Sequence, residues 1–161
     1  MRTRSFVALV LTALLSSCAA PGPRSADRAE AIRLVILRGH VVCLAEQLHQ
    51  QHGAALPTNH DHLWALQAND GRVYTLLRVR FSEAIWMDGR IRARELELKA
   101  RLFPGTQVLE VERLRSVLHG VVQDLYYYCE ICHIQSVSPE PCSCCQGPVE
   151  LVEQPLDRPG D

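Results

Sequence analysis

The residues with the most chemistry to offer are the cysteines, seven in all, four of them in two spaced pairs. Cys129-Glu130-Ile131-Cys132 is followed, nine residues later, by Cys142-Ser143-Cys144-Cys145. A Cys-x-x-Cys turn points two sulfurs the same way, and two such knuckles can bring four thiolates to one ion. Four thiolates make a closed tetrahedral zinc site. The stretch between them, Val137-Ser138-Pro139-Glu140-Pro141, is rich in turn formers, as a link between knuckles should be. Closing such a site supplies apparent binding energy on the order of 10 kcal/mol, enough to order a segment with little core of its own. The expected metal ligands are Cys129, Cys132, Cys142 and Cys145, in a zinc-ribbon-like appendage over residues 126–152. Zinc is the expected ion, with another soft metal as the alternative.

The same stretch resembles the short heavy-metal-binding domains of bacterial efflux proteins. Those run Tyr-x-Cys-Pro-Met-His and later Pro-Gly-x-Cys-Pro-x-Cys-Gly-Met-x-Leu. Here Tyr127-x-Cys129 matches the opening, Pro139-x-x-Cys142 the middle, and Cys142-x-x-Cys145 with Val149-Glu150 the close. Cys132 stands in place of the family's His, Ile131 and Gly147 in place of its methionines, and Glu130 in place of a proline. Without thioethers the copper(I) reading weakens, while four thiolates favour zinc. The resemblance covers about twenty residues and implies a metal-binding module, not transport.

Two other uses of these cysteines compete. An exported chain meets an oxidising compartment, where cysteines pair as disulfides. Adjacent Cys144 and Cys145 fit simple pairing poorly, and the symmetrical spacing favours a metal. A redox Cys-x-x-Cys usually opens a helix after a strand, whereas Cys129 follows three tyrosines and precedes Ile131, so catalysis by thiol exchange ranks lower.

Five of seven histidines, His40, His49, His52, His60 and His62, fall within twenty-three residues, with Cys43 among them. A second metal site could draw on Cys43, His49, His52, His60 and His62, since His49 and His52 share a helix face at their spacing. No ligand spacing sharpens this pattern, and a polar loop beside a buried cysteine is the favoured reading. His133, next to Cys132, could replace a ligand or support one. Trp64 and Trp86 read as core or groove residues. No phosphate loop, nucleophile elbow or paired-carboxylate motif is present, which lowers the case for an enzyme.

The elements that must position these groups are mainly strands. A bent strand is expected over residues 32–44 with Gly39 at the bend, then a helix over 45–52 ended by Gly53 in a left-handed cap. Residues 63–68 and 72–77 flank Asn69-Asp70-Gly71, the clearest hairpin. Ser82 is expected to cap a short helix through Met87, ended by Asp88-Gly89. Strands follow over 95–102, 108–118 and 121–128, turned by Pro104-Gly105 and His119-Gly120. The sum is five or six strands with one helix between them. Over residues 30–118 this order resembles the small OB-type barrels of exported bacterial proteins; a twisted antiparallel sheet packed by one or two short helices is the competing arrangement. The domain is expected over 30–125 and a disordered tail over 153–161.

The N-terminal residues read as an address. Arg2 and Arg4 precede an apolar run over residues 6–15, too short to cross about 30 Å of hydrocarbon. It ends in Leu15-Ser16-Ser17-Cys18, which resembles the lipobox of bacterial lipoproteins. The resemblance implies removal of residues 1–17, acylation of Cys18, and anchoring in a bilayer on the extracytoplasmic side of the cell envelope, inner or outer membrane. Residues 18–29 have the composition of a tether. The chain of 161 residues is 47% hydrophobic, enough for one core, and its net charge of -1 argues against a nucleic-acid partner. The functional expectation is a non-enzymatic lipoprotein whose zinc site serves structure, metal handling or docking of a protein partner. The alternative is a membrane-anchored thiol-disulfide redox protein.

Overall fold

The computed structural model describes residues 31–156. The address, the tether and Cys18 therefore lie outside the described residues. Within them the chain is mainly β, one eight-stranded sheet with three short helices. Strand β1 (Arg33–Cys43) leads into α1 (Leu44–His52), and β2 (Trp64–Ala68) and β3 (Val73–Leu76) form the hairpin. Helices α2 (Glu83–Met87) and α3 (Gly89–Arg92) precede the long pair β4 (Glu95–Leu102) and β5 (Val108–Leu118). Strands β6 (Val121–Cys129), β7 (Ile134–Ser136) and β8 (Glu150–Pro155) complete it.

Local chemistry explains most of these boundaries. Gly53 ends α1 at φ 66° and donates its N–H to the carbonyl of His49. In the hairpin Gly71 takes φ 84°, and the Asp70 carboxylate accepts the Arg72 N–H at 3.0 Å. His119 and Gly120 both have positive φ, which joins β5 to β6 through two residues whose twist matches the strands. Gly39 acts differently from the expected bend. A Cβ there would stand 2.0 Å from the carbonyl oxygen of Gln67, so glycine is required by the closeness of β2, paired at Gly39↔Ala68.

The path β3-β2-β1-β4-β5 is antiparallel throughout, and a short parallel pairing of β3 with β5, Thr75↔Val108 and Leu76↔Leu109, joins its ends. Each of these five strands thus has a neighbour on both edges. A register shift between Lys99 and Ala100 gives β5 an extra residue opposite β4, which increases local twist. The enclosed side is filled by Leu66, Leu76, Leu96, Leu98, Leu109 and Val111, all at most 1% exposed. Their alternation in β4 is the half-buried pattern read from the sequence. Its opposite face carries Glu97, held by Arg38 on β1 at 2.8 Å and facing Arg115 on β5 at 3.7 Å.

Several expectations are corrected. There are eight strands and three helices among the described residues, not five or six strands with one helix. The helix that ends at Met87 stops at Asp88 as expected, with Asp88 in an extended conformation, but a further short helix follows it: the Asp88 carboxylate accepts the Arg90 N–H at 2.8 Å and caps α3. Ser82 stands at the N-cap position of α2 without capping it. Its hydroxyl instead lies 2.7 Å from the Leu77 carbonyl and accepts the Val79 N–H at 3.0 Å. The expected domain boundary at 125/126 falls inside β6, and the expected tail from residue 153 starts within β8, which pairs with β6 from Gln123↔Pro155 to Tyr128↔Glu150.

Candidate metal centre

The cysteine knuckles hang from β6. Cys129 is its last residue, β7 returns along it at Cys129↔Ile134, and β8 starts opposite Tyr128. The two knuckles are therefore stitched to one strand from its two sides, and their sulfurs face each other. They also share a local geometry. The carbonyl of Cys129 accepts the His133 N–H at 2.8 Å, and the carbonyl of Cys142 accepts the Gln146 N–H at 2.8 Å. His133 and Gln146, each four residues after the leading cysteine, have φ 54° and 59°. Glycine is the usual tenant of that conformation, and its absence here hid the motif's symmetry from the sequence.

The sulfur atoms of Cys129, Cys132, Cys142 and Cys145 lie within 4.8 Å of one another, and four cysteines so placed could hold a metal ion. Cys129 and Cys145 approach to 3.6 Å. That is far from a disulfide bond, about 2.05 Å. It matches the edge of a tetrahedron with metal–sulfur bonds of about 2.3 Å, which is roughly 3.8 Å. All six cysteines among the described residues are free thiols. Cys129 and Cys142 are buried, Cys132 is half-buried, and Cys145 is exposed.

The backbone prepares part of this site for negative charge. The N–H groups of Cys145 and Cys144 point at the Cys142 sulfur and, with the thiols of Cys129 and Cys145, bring it down to about 6. Cys132 is pushed well up, first by the neighbouring thiol of Cys144, then by that of Cys145 and by burial. At Cys129 the Cys132 N–H favours the thiolate, but burial and the thiols of Cys142 and Cys145 outweigh it and raise the value. The thiolate is thus favoured at Cys142, while Cys129 and Cys132 hold their protons until a cation compensates for the crowded charge. Cys144 is exposed and lies outside the four. His133 does not join them; its Nδ1 is 2.6 Å from the Tyr128 hydroxyl.

A polar clamp holds β6 against the helices. The buried Tyr127 hydroxyl donates to Asp88 Oδ2 at 2.9 Å, and Arg90 meets the same carboxylate at 2.7 and 3.0 Å. Those bonds, led by the Arg90 guanidinium, hold Asp88 down at about 2, while burial and Asp88 itself push Tyr127 well up. Next to it Arg94 binds Glu153 of β8 at 2.5 and 2.7 Å, and Ser116 of β5 donates to Glu153 at 2.5 Å. Tyr127 is two residues from Cys129, so the clamp fixes the strand that presents the first knuckle.

The histidine-rich region sorts into two groups. Cys43, His60 and His62 come together, and Glu46 joins them within the same 4.8 Å. His49 and His52 do not: His49 Nδ1 is 2.7 Å from the Ala54 carbonyl at the far end of α1, and His52 lines a groove with Gln107. Glu46 escaped the sequence reading, although its spacing from Cys43 puts both on the first turn of α1.

Comparisons with protein-family models, with curated proteins and with solved structures find no match to this chain. What fold and site define is a mainly β protein with a four-cysteine cluster able to hold a metal ion.

Proposed function

We propose that this chain is a lipid-anchored protein of the cell envelope whose paired knuckles hold one zinc ion, and that it serves structure, metal handling or partner docking without catalysis. The observation that carries the reading is the convergence of four sulfurs from two matched knuckles. Four protein ligands leave no position for water or substrate, so such a zinc is structural and does not activate a nucleophile. The absence of thioether ligands favours zinc over copper(I). The core sheet reads as an OB-type barrel, supported by the cyclic pairing of β1 to β5 and by helices between β3 and β4. The address rests on the lipobox-like Leu15-Ser16-Ser17-Cys18 alone.

Metal analysis with thiol titration on the purified chain tests the zinc reading. Zinc that is lost on Cys132→Ser supports it, whereas cysteines with neither metal nor free thiols overturn it. The rival, a membrane-anchored thiol-disulfide redox protein, is favoured by the Cys142 thiol at about 6. It predicts chelator-insensitive turnover of a dithiol substrate, and zinc tightly retained without such turnover excludes it.

A further inference from the structure

We infer that Cys43, Glu46, His60 and His62 form a second metal site, separate from the knuckles, that takes a divalent cation of zinc character. Cys43 ends β1 and stands at the N-cap of α1, yet its sulfur does not cap the helix. It is turned instead to His60 Nε2 at 3.4 Å, although the residue is only 4% exposed. Glu46, in the first turn of α1, brings Oε1 to 3.5 Å from His60 Nε2 and 3.9 Å from His62 Nδ1. Tetrahedral zinc with bonds of about 2.3 Å to sulfur and 2.0–2.1 Å to nitrogen or oxygen has edges of roughly 3.6 and 3.3 Å. The Cys43–His60 and Glu46–His60 spacings fall within about 0.2 Å of those edges, and the Glu46–His62 contact is about 0.6 Å longer, so His62 closes inward on an ion.

The surroundings are organised as support for ligands. His60 Nδ1 lies 3.3 Å from the Pro57 carbonyl. A carbonyl can only accept, so Nδ1 carries a proton, and in the neutral ring this leaves the Nε2 lone pair directed at Cys43 and Glu46. The His62 ring stacks on Trp64, centroids 4.8 Å apart and planes 11° apart, and Trp64 is paired with Cys43 across β1 and β2. The Arg92 guanidinium rests 4.6 Å from the Trp64 ring centroid. The Leu44 N–H bonds the Leu63 carbonyl at 2.9 Å, tying the cysteine end of the set to the histidine end. A thiolate and a carboxylate neutralise a divalent ion, and two neutral imidazoles complete four ligands. Ion pairing of Glu46 with the histidines would account for the carboxylate but not for the sulfur turned into the same point. The solvent-facing side is formed by Glu46 and His62, so this ion exchanges more readily than one enclosed by the knuckles.

The test is cobalt(II) and zinc loading of the full chain and of variants at each site. The wild type takes two ions; the partly exposed pair Glu46→Gln with His62→Ala takes one, or binds its second at least about tenfold more weakly. Cys132→Ser retains an ion whose cobalt spectrum shows weak thiolate charge transfer, as expected for one sulfur. A Cys132→Ser chain that binds nothing, or a Glu46→Gln, His62→Ala chain with unchanged stoichiometry and affinity, overturns the proposal. Loss of an ion only on Glu46→Gln with His62→Ala, and not on Cys132→Ser, supports this site and refutes the knuckle reading, so the two stand or fall separately.

Discussion

Replacing Asp88 by asparagine keeps the side chain's shape and removes the charge at the centre of the clamp. The carboxylate accepts from the Tyr127 hydroxyl, from the Arg90 side chain and from the Arg90 N–H. An asparagine oxygen can serve some of these donors, but its amide then faces others that cannot accept. The folded-state value of about 2, against 3.8 for the free group, corresponds to roughly 2 kcal/mol of preference for the charged form. Arg90 is 59% exposed and its share is screened by solvent, which brings the expected loss to about 1.5 kcal/mol. Because the folded value lies below the unfolded one, this stabilisation is complete only above about pH 5 and is lost as the pH falls from there toward 2. Urea unfolding of wild type and Asp88→Asn at neutral pH, with chelator, should show that difference, with a melting point lower by about 4–8 °C. The gap should narrow between about pH 5 and pH 2.5. A difference under about 0.5 kcal/mol at neutral pH, or a gap that does not narrow, would refute the role given to the clamp.

Gly39→Ala should destabilise by about 3 kcal/mol or more in the same assay, since the new methyl meets the Gln67 carbonyl and β2 must move; a near-neutral effect would mean that β1 and β2 are not so close. Gln146→Gly should stabilise the chain by about 0.5 kcal/mol by relieving a left-handed backbone at an exposed position, and a loss of stability would contradict the knuckle geometry. Cys18→Ser should move the protein from the membrane fraction to the soluble fraction and abolish incorporation of labelled palmitate, and unchanged partition would remove the anchor from the account.

The sequence was most legible where one turn or one alternating strand carries the signal. Leu96, Leu98, Ala100 and Leu102 announce β4, and Asp70-Gly71 and His119-Gly120 place two hairpins because their backbone angles demand such residues. It was least legible where tertiary partners decide. Gly39 looks like a bend from its neighbours, yet the strand beside it is what excludes a side chain. Asp88-Gly89 marks the end of α2, but that Asp88 also caps a further helix, α3, shows only in the structure. Strands β7 and β8 are short and lack alternation, and pair only because β6 runs on past its pairing with β5 and offers its other edge as well. The four-cysteine spacing spoke for itself, whereas Glu46 became visible only once Cys43, His60 and His62 were brought to one point.

In the proposed site four knuckle sulfurs surround a single ion. Zinc K-edge X-ray absorption on the Glu46→Gln, His62→Ala chain isolates that site and reads its ligands directly. The expected result is one shell of four sulfur atoms at about 2.3 Å. A shell dominated by nitrogen or oxygen, or a zinc-free chain in which mass spectrometry finds Cys129, Cys132, Cys142 and Cys145 joined as disulfides, would contradict it.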